Sequence, residues 1–253
     1  SIILTPTAYN TSEALCVKPS DGSGDFQFSR ATDGTRVNAQ GLVETIGINL
    51  PRINYEGFSF DGSGNIIPNS GCGSWLFEPQ TSQLVTYSED FSNAAWTKNV
   101  VTLESGYLAP DGTNNAYKVS GSVNMNDINI TGLVATSTRS IYARTVSGTG
   151  TAQLLTHNSN TNNVFTITEQ WQRFEVSTAN ATFTNFFYAI DFRGVGTLSE
   201  IILWGANATN DQDYATSYIP SNGSQVTRNQ DLCTGGGSLA TINSTEGTLY
   251  AEI

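Results

Sequence analysis

A chain of 253 residues supplies material for one large or two modest domains with a packed core. Its 38% hydrophobic and 10% aromatic content excludes a disordered chain. Only 13% of residues are charged and the formal net charge is −11, which excludes a nucleic-acid partner, whose phosphates need a basic surface.

The opening Ser1-Ile2-Ile3-Leu4 lacks the basic, apolar and small order of a signal peptide, and Ser1 reads as close to a natural start. No 18-residue apolar run occurs, so no membrane insertion by a helix is expected. Asp21-Gly22-Ser23-Gly24-Asp25 and Asp61-Gly62-Ser63-Gly64-Asn65 are tight-turn signals with short strands between them. Residues 1–80 therefore read as an irregular β-rich arm or attachment region. Helical periodicity is nearly absent; Ser88 to Trp96 is the best candidate for a single capped turn.

Elsewhere, β-branched and aromatic residues cluster in short runs bounded by Gly, Asn and Asp. Expected strands are Leu42 to Ile46, Asn99 to Leu103, Ala116 to Val119, Ser140 to Val146, Gln153 to Thr156, Asn163 to Thr168, Gln172 to Thr178, Asn185 to Phe192 and Leu198 to Trp204. In Asn185 to Arg193 a period of two sets Phe186, Tyr188, Ile190 and Phe192 on one face and Asp191 on the other. In Ser140 to Thr145, Tyr142 and Arg144 share a face opposite Ile141 and Ala143. Many short strands at such spacing give an all-β fold, a β-sandwich of jelly-roll type over residues 81–230. Gly235-Gly236-Gly237-Ser238 reads as a linker within 231–253. Glu246 to Ile253 reads as a strand just begun, so the chain is expected to continue beyond it.

Chemistry-bearing patterns are few. Cys16, Cys72 and Cys233 are widely spaced without a CxxC, and His157 is the single histidine, so no metal site, cofactor or Ser–His nucleophile is expected. A Cys16–Cys72 bridge and free thiols both remain open. Carboxylates such as Asp90, Glu104, Glu175, Asp191 and Glu200 have no spacing that pairs two of them as a glycosidase would. Asn210-Asp211-Gln212-Asp213 offers oxygens for calcium but lacks the Gly and distal Glu of a binding loop; an exposed acidic turn is the competing reading. Sugar binding needs aromatic rings for the apolar faces of pyranoses and polar groups for the hydroxyls. The residues expected to supply these are Trp96, Tyr142, Arg144, Tyr188 and Asp191, with core packing the competing reading for each aromatic. Tyr142 with Arg144 is the preferred exposed pair; Trp204, among Ile201, Ile202 and Leu203, reads as core.

A set of phrases in order carries a resemblance. Ser29-Arg30-Ala31-Thr32, Thr35-Arg36-Val37-Asn38, Gly41-Leu42-Val43-Glu44-Thr45, Pro51-Arg52-Ile53-Asn54-Tyr55, Leu76-Phe77-Glu78-Pro79-Gln80, Ile202-Leu203-Trp204-Gly205-Ala206 and Tyr214 to Arg228 follow one another. Together they resemble bacteriophage head-fibre, spike and tail-fibre virion proteins carrying a carbohydrate-binding-module-like jelly roll. Thr81-Ser82-Gln83 and Gly73 depart from the family's usual residues at those places. The resemblance implies a non-enzymatic virion protein, assembled in the bacterial cytoplasm, that contacts capsid or tail proteins and binds host-surface carbohydrate. It also implies a homo-oligomer, a trimer as in other fibres. It makes Trp171 a packing residue and reads Gly247 to Ile253 as the first strand of a lectin-like domain; Trp75, near Cys72, is separately expected to anchor the arm against the jelly roll or a neighbouring subunit. Two alternatives stand beside it: a capsid decoration protein without glycan affinity, and the accessory module of a polysaccharide-degrading enzyme.

Overall fold

Alternating apolar residues close into strands throughout the described residues. The computed structural model describes residues 2–55, 58–60, 66–68, 73–122, 127–130, 137–156, 163–176, 188–193, 196–210 and 212–237, with 58–60, 66–68 and 156 described by backbone alone. Cys72, His157, the turn at 61–65 and the strand expected at 247–253 lie outside the described residues. Two units form, Ser1–Gln80 with Arg228–Ile253, and Thr81–Thr227.

The first unit contains β1 (Ile3–Asn10), β2 (Glu13–Lys18), β3 (Phe26–Ser29), β4 (Gly34–Val37), β5 (Val43–Ile46), β6 (Ile53–Asn54), β7 (Phe58–Phe60), β8 (Ile66–Pro68) and β9 (Ser74–Trp75). β1 was not among the expected strands, and it carries Pro6. It lies at a sheet edge, the place where a residue without an N–H is tolerated. Trp75 packs edge-on against Phe28 at 5.6 Å and donates its indole N–H to the Pro6 carbonyl at 3.1 Å.

A buried ion cluster ties distant parts of this unit together. Arg30 donates to Asp231 at 2.9 Å and to the carbonyls of Thr32, Ile46 and Gly47. Arg52 pairs with both Asp231 and Glu78, and Arg228 lies 3.2 Å from Glu78. All three arginines are at most 2% exposed. Burial pulls the Arg228 guanidinium below its ordinary value, and the Glu78 carboxylate opposes that pull. Charges this deep persist only with partners, because stripping a charge of water costs several kcal/mol, roughly, unless it is paired.

The second unit runs through β10 (Thr81–Gln83), β11 (Thr97–Asn99), β12 (Thr102–Tyr107), β13 (Ala116–Ser120), β14 (Asp127–Ile130), β15 (Thr138–Arg144), β16 (Gly150–Thr156), β17 (Val164–Ile167), β18 (Gln172–Val176), β19 (Tyr188–Asp191), β20 (Glu200–Thr209) and β21 (Val226–Arg228), the last pairing with β10. One sheet has the order β12-β13-β20-β15-β18 and the other β11-β14-β19-β16-β17. Setting aside the edge strands β11 and β12, β13 to β20 switch sheets at every connection but the β16–β17 hairpin, the order of a double-sheet jelly roll. The fold is thus an all-β sandwich. Its core holds Phe91, Trp96, Ile128, Ile141, Leu154, Tyr188, Ile190, Phe192, Ile201 and Leu203. Burying each such side chain contributes about 1.5–3 kcal/mol.

The structure differs locally from the sequence reading at three places. Asn99 to Leu103 is two strands in different sheets, broken at Val100, whose φ is 58° and which is 86% exposed. Ser88 to Trp96 is not helical. Asp90 accepts the Ser92 amide and Asn93 accepts the Ala95 amide, so two successive side-chain turns replace the helix. Leu232–Thr234, expected in the linker, forms β22, which pairs with β3.

Candidate functional site

The outward face of the β12-β13-β20-β15-β18 sheet follows from register. Because Ile141, Ala143, Ile201 and Leu203 point into the core, Tyr142, Arg144, Ile202 and Trp204 point out. Arg144 stands opposite Ile202, Ile202 opposite Lys118, and Lys118 opposite Glu104. Tyr142 stands between Trp204 and Arg173. Tyr107 pairs with Ala116 at the far edge, and Trp171 precedes β18 beside Arg144.

A bulge aims this face. Register shifts between Ser140 and Tyr142, opposite Gly205, whose φ is +66°. A methyl at 205 would stand 3.3 Å from Tyr142 Cδ2, so the glycine supplies both the turn and the room for the ring. Tyr142 meets Trp204 edge-on at 5.5 Å, and Trp204 lies against Tyr218 at 4.7 Å.

Cations and rings alternate across the surface. Arg144 Cζ lies 5.3 Å from the Trp171 ring, Arg173 Cζ 5.6 Å from the Tyr142 ring, and Lys118 Nζ 5.7 Å from the Tyr107 ring. Trp171 is fixed by its N–H to the Leu108 carbonyl at 3.2 Å, and Arg173 by the Thr216 carbonyl at 2.6 Å. Lys118 pairs with Glu104 at 2.7 Å, and that hydrogen bond raises the Lys118 ammonium above its ordinary value. Partial burial lowers the Arg144 guanidinium, which the nearby Tyr107 oxygen counteracts. Tyr142, Arg144, Trp171, Arg173 and Tyr107 are all half-buried: held in place, yet open on one side.

The five residues expected to contact glycan separate here. Tyr142 and Arg144 share this face. Trp96 is 1% exposed, packed on Phe91 at 4.8 Å, with its N–H on the Tyr87 carbonyl. Tyr188 is fully buried and donates to the Ser140 carbonyl at 2.6 Å. Neither ring has a face to offer a sugar, because the sandwich core uses both sides. Asp191 belongs to the other sheet, buried beside Asp127 and held by Arg193 at 2.7 Å. Sequence reasoning missed Tyr107 because its place opposite Ala116 depends on a strand break at Val100, and Lys118 because its place opposite Ile202 comes from the pairing of β13 with β20.

A second opening, about 450 Å³, lies at the sandwich rim among Glu89, Asp90, Asn114, Asn115, Tyr117 and Asn222. Glu89 accepts from Tyr218 at 2.7 Å and from the Asn115 amide at 2.9 Å. Burial pushes its carboxyl above the usual 4.5. The folded state therefore binds this proton more tightly than the unfolded chain. The associated stabilisation is full below the unfolded value and is lost as pH rises through the folded one. Glu89→Gln removes that slope. The Asn115 carbonyl oxygen has no hydrogen-bond partner, so turning its amide over supplies an acceptor for the new Gln N–H. The expected result in thermal melts is a variant-minus-wild-type Tm difference that grows from pH 4 to pH 7; a pH-independent difference contradicts the assignment.

Cys16 and Cys233 are free thiols, with the Cys16 thiol donating to the Lys18 carbonyl at 2.6 Å. Among the described residues no group of three or more His, Cys, Asp or Glu is placed to hold a metal ion.

No known protein family matches the sequence, and no curated protein matches it. Two solved structures with partial similarity are carbohydrate-binding modules. One is a family 11 module from Clostridium thermocellum in complex with a β-1,3-1,4-mixed-linked tetrasaccharide: 13% identity, 63% of this chain and 98% of that one covered, TM-score 0.28. The other is the CBM22-1 xylan-binding domain of Xyn10C from Paenibacillus barcinonensis: 13% identity, 62% and 97% covered, TM-score 0.27. At such TM-scores the traces coincide only in part, and the fold assignment rests on the strand order given above.

Proposed function

We propose that this chain is a non-enzymatic protein of a phage particle, a head or tail fibre or spike, whose jelly roll binds carbohydrate on the host surface. One observation carries the sugar reading: the row of half-buried rings and cations at Trp171, Arg144, Tyr142 and Arg173 on one sheet face. Rings fixed by packing offer C–H-facing surfaces at little entropic cost, and the adjacent N–H groups can satisfy hydroxyls that would otherwise be buried unpaired. The particle reading rests on the ordered phrases from Ser29 to Gln80 and from Tyr214 to Arg228, as does the trimer.

A glycan array with the full chain tests the first part. Binding by the wild type and its loss in Trp171→Ala support it; silence across the array sinks it and leaves the decoration-protein reading. Mass spectrometry of purified particles tests the second part. Its absence from them, with the gene beside polysaccharide-degrading enzymes, would support the accessory-module reading instead.

A further inference from the structure

The charge pattern of this face narrows the ligand class. Arg30, Arg36, Arg52, Arg193 and Arg228 each face a carboxylate. Arg144 and Arg173 do not, among the described residues. Arg144 gives one N–H to the Thr145 carbonyl at a long 3.3 Å, which leaves most of its five donors for something else. Arg173 bonds the Ser140 hydroxyl and the Thr216 carbonyl, and its buried Nε has no partner. Both guanidiniums are fixed against rings, so their forks are pre-set in orientation.

In a chain of net charge −11, two half-buried arginines without a carboxylate are out of keeping with the paired arginines elsewhere. The carboxylates nearest this face are otherwise engaged or offset. Glu104 is taken by Lys118, and Glu169 accepts the Gly148 amide at 2.5 Å. Glu175, exposed two residues beyond Arg173 and opposite Ser140, forms no ion pair with it. The overall negative charge does not forbid an anion here, since at physiological salt charges farther than roughly 8 Å are largely screened.

We infer that the face takes an acidic saccharide, one whose pyranose rings carry carboxylates. This rests on the carbohydrate reading and names its ligand class. The rings at Trp171 and Tyr142 receive the apolar sugar faces, and the Arg144 fork receives the carboxylate in a paired, charge-assisted contact. A neutral sugar would leave that fork facing hydroxyls, with a weaker bond at each donor.

The test uses the wild-type full chain and uronate-containing oligosaccharides of several linkages, each beside its carboxyl-reduced counterpart, in calorimetry at two salt concentrations. The expected result is about ten- to a hundredfold tighter binding of an acidic form than of its reduced partner. Higher salt weakens that preference, and Arg144→Gln abolishes it. Equal affinity for both forms overturns the acidic assignment while the sugar reading stands. No binding to any saccharide overturns both. Poly-glutamate binding as tightly as the acidic oligosaccharides, and competing with them, also overturns the inference, because charge alone would then suffice and the ligand would be an acidic polypeptide. Since the decisive comparison uses unaltered protein, misfolding of the variant does not affect it.

Discussion

Asp231→Ala is expected to destabilise the first unit by about 3–5 kcal/mol, the cost of breaking a buried ion pair from one side. The carboxylate stands between Arg30 and Arg52 and 3.5 Å from Arg228, and it also accepts the Glu78 amide at 3.0 Å. Removing it leaves Arg52 and Arg228 sharing the single carboxylate of Glu78, Arg30 with backbone carbonyls alone, and an unsatisfied backbone N–H. Asp231→Asn keeps one acceptor oxygen and loses the charge, so its loss should be smaller. Hydrogen exchange reads the effect locally: the Glu78 amide should lose protection in Asp231→Ala, while amides of the sandwich core such as Ile141 keep theirs. Unchanged protection at Glu78 would mean that the cluster does not hold this unit together.

That cluster explains what the opening phrases of the sequence encode. Ser-Arg-Ala-Thr supplies Arg30, Pro-Arg-Ile-Asn supplies Arg52, Phe-Glu-Pro-Gln supplies Glu78, and the closing Val-Thr-Arg supplies Arg228. Thr-Arg-Val-Asn and Gly-Leu-Val-Glu-Thr are the two strands β4 and β5, where Arg36 stands opposite Glu44 and bonds it at 2.8 Å. The phrases were visible as sequence; their pairing was not. Arg30 and Asp231 are 201 residues apart, and no local periodicity records a contact of that separation.

In the sandwich, strands with clean alternation were legible. Tyr188, Ile190 and Phe192 share the core face, and Tyr142 lies opposite Ile141 and Ala143 as the period of two requires. Strand ends were less so. β20 runs on through Asn207, which reads as a turn residue, because its buried amide oxygen accepts the Ile219 amide and the Gln83 side chain and so belongs inside. The face was half legible. Tyr142 and Arg144 are two residues apart on one strand, whereas Trp171, Arg173, Lys118 and Tyr107 join them only through the register of neighbouring strands.

The contrast between Trp96 and Trp171 shows why composition could not assign the aromatics. Both precede a strand, and both donate their indole N–H to a backbone carbonyl, at 2.9 and 3.2 Å. Trp96 is among the largest fully buried side chains and touches Phe91 and Tyr188. Trp96→Ala should therefore cost about 3–5 kcal/mol, the sum of lost burial and a cavity the sheets cannot collapse into. Trp171 is half-buried and loses one hydrogen bond and one cation–ring contact, so Trp171→Ala should cost about 1 kcal/mol. Urea unfolding measures both, and saccharide binding separates them further. Trp171→Ala should unfold near the wild-type midpoint and bind no sugar. Trp96→Ala, below its lowered midpoint, should bind with wild-type affinity, since its ring reaches no surface. Reversal of either pattern, with Trp96→Ala folded but binding-dead or Trp171→Ala binding normally, would move the site off this sheet face.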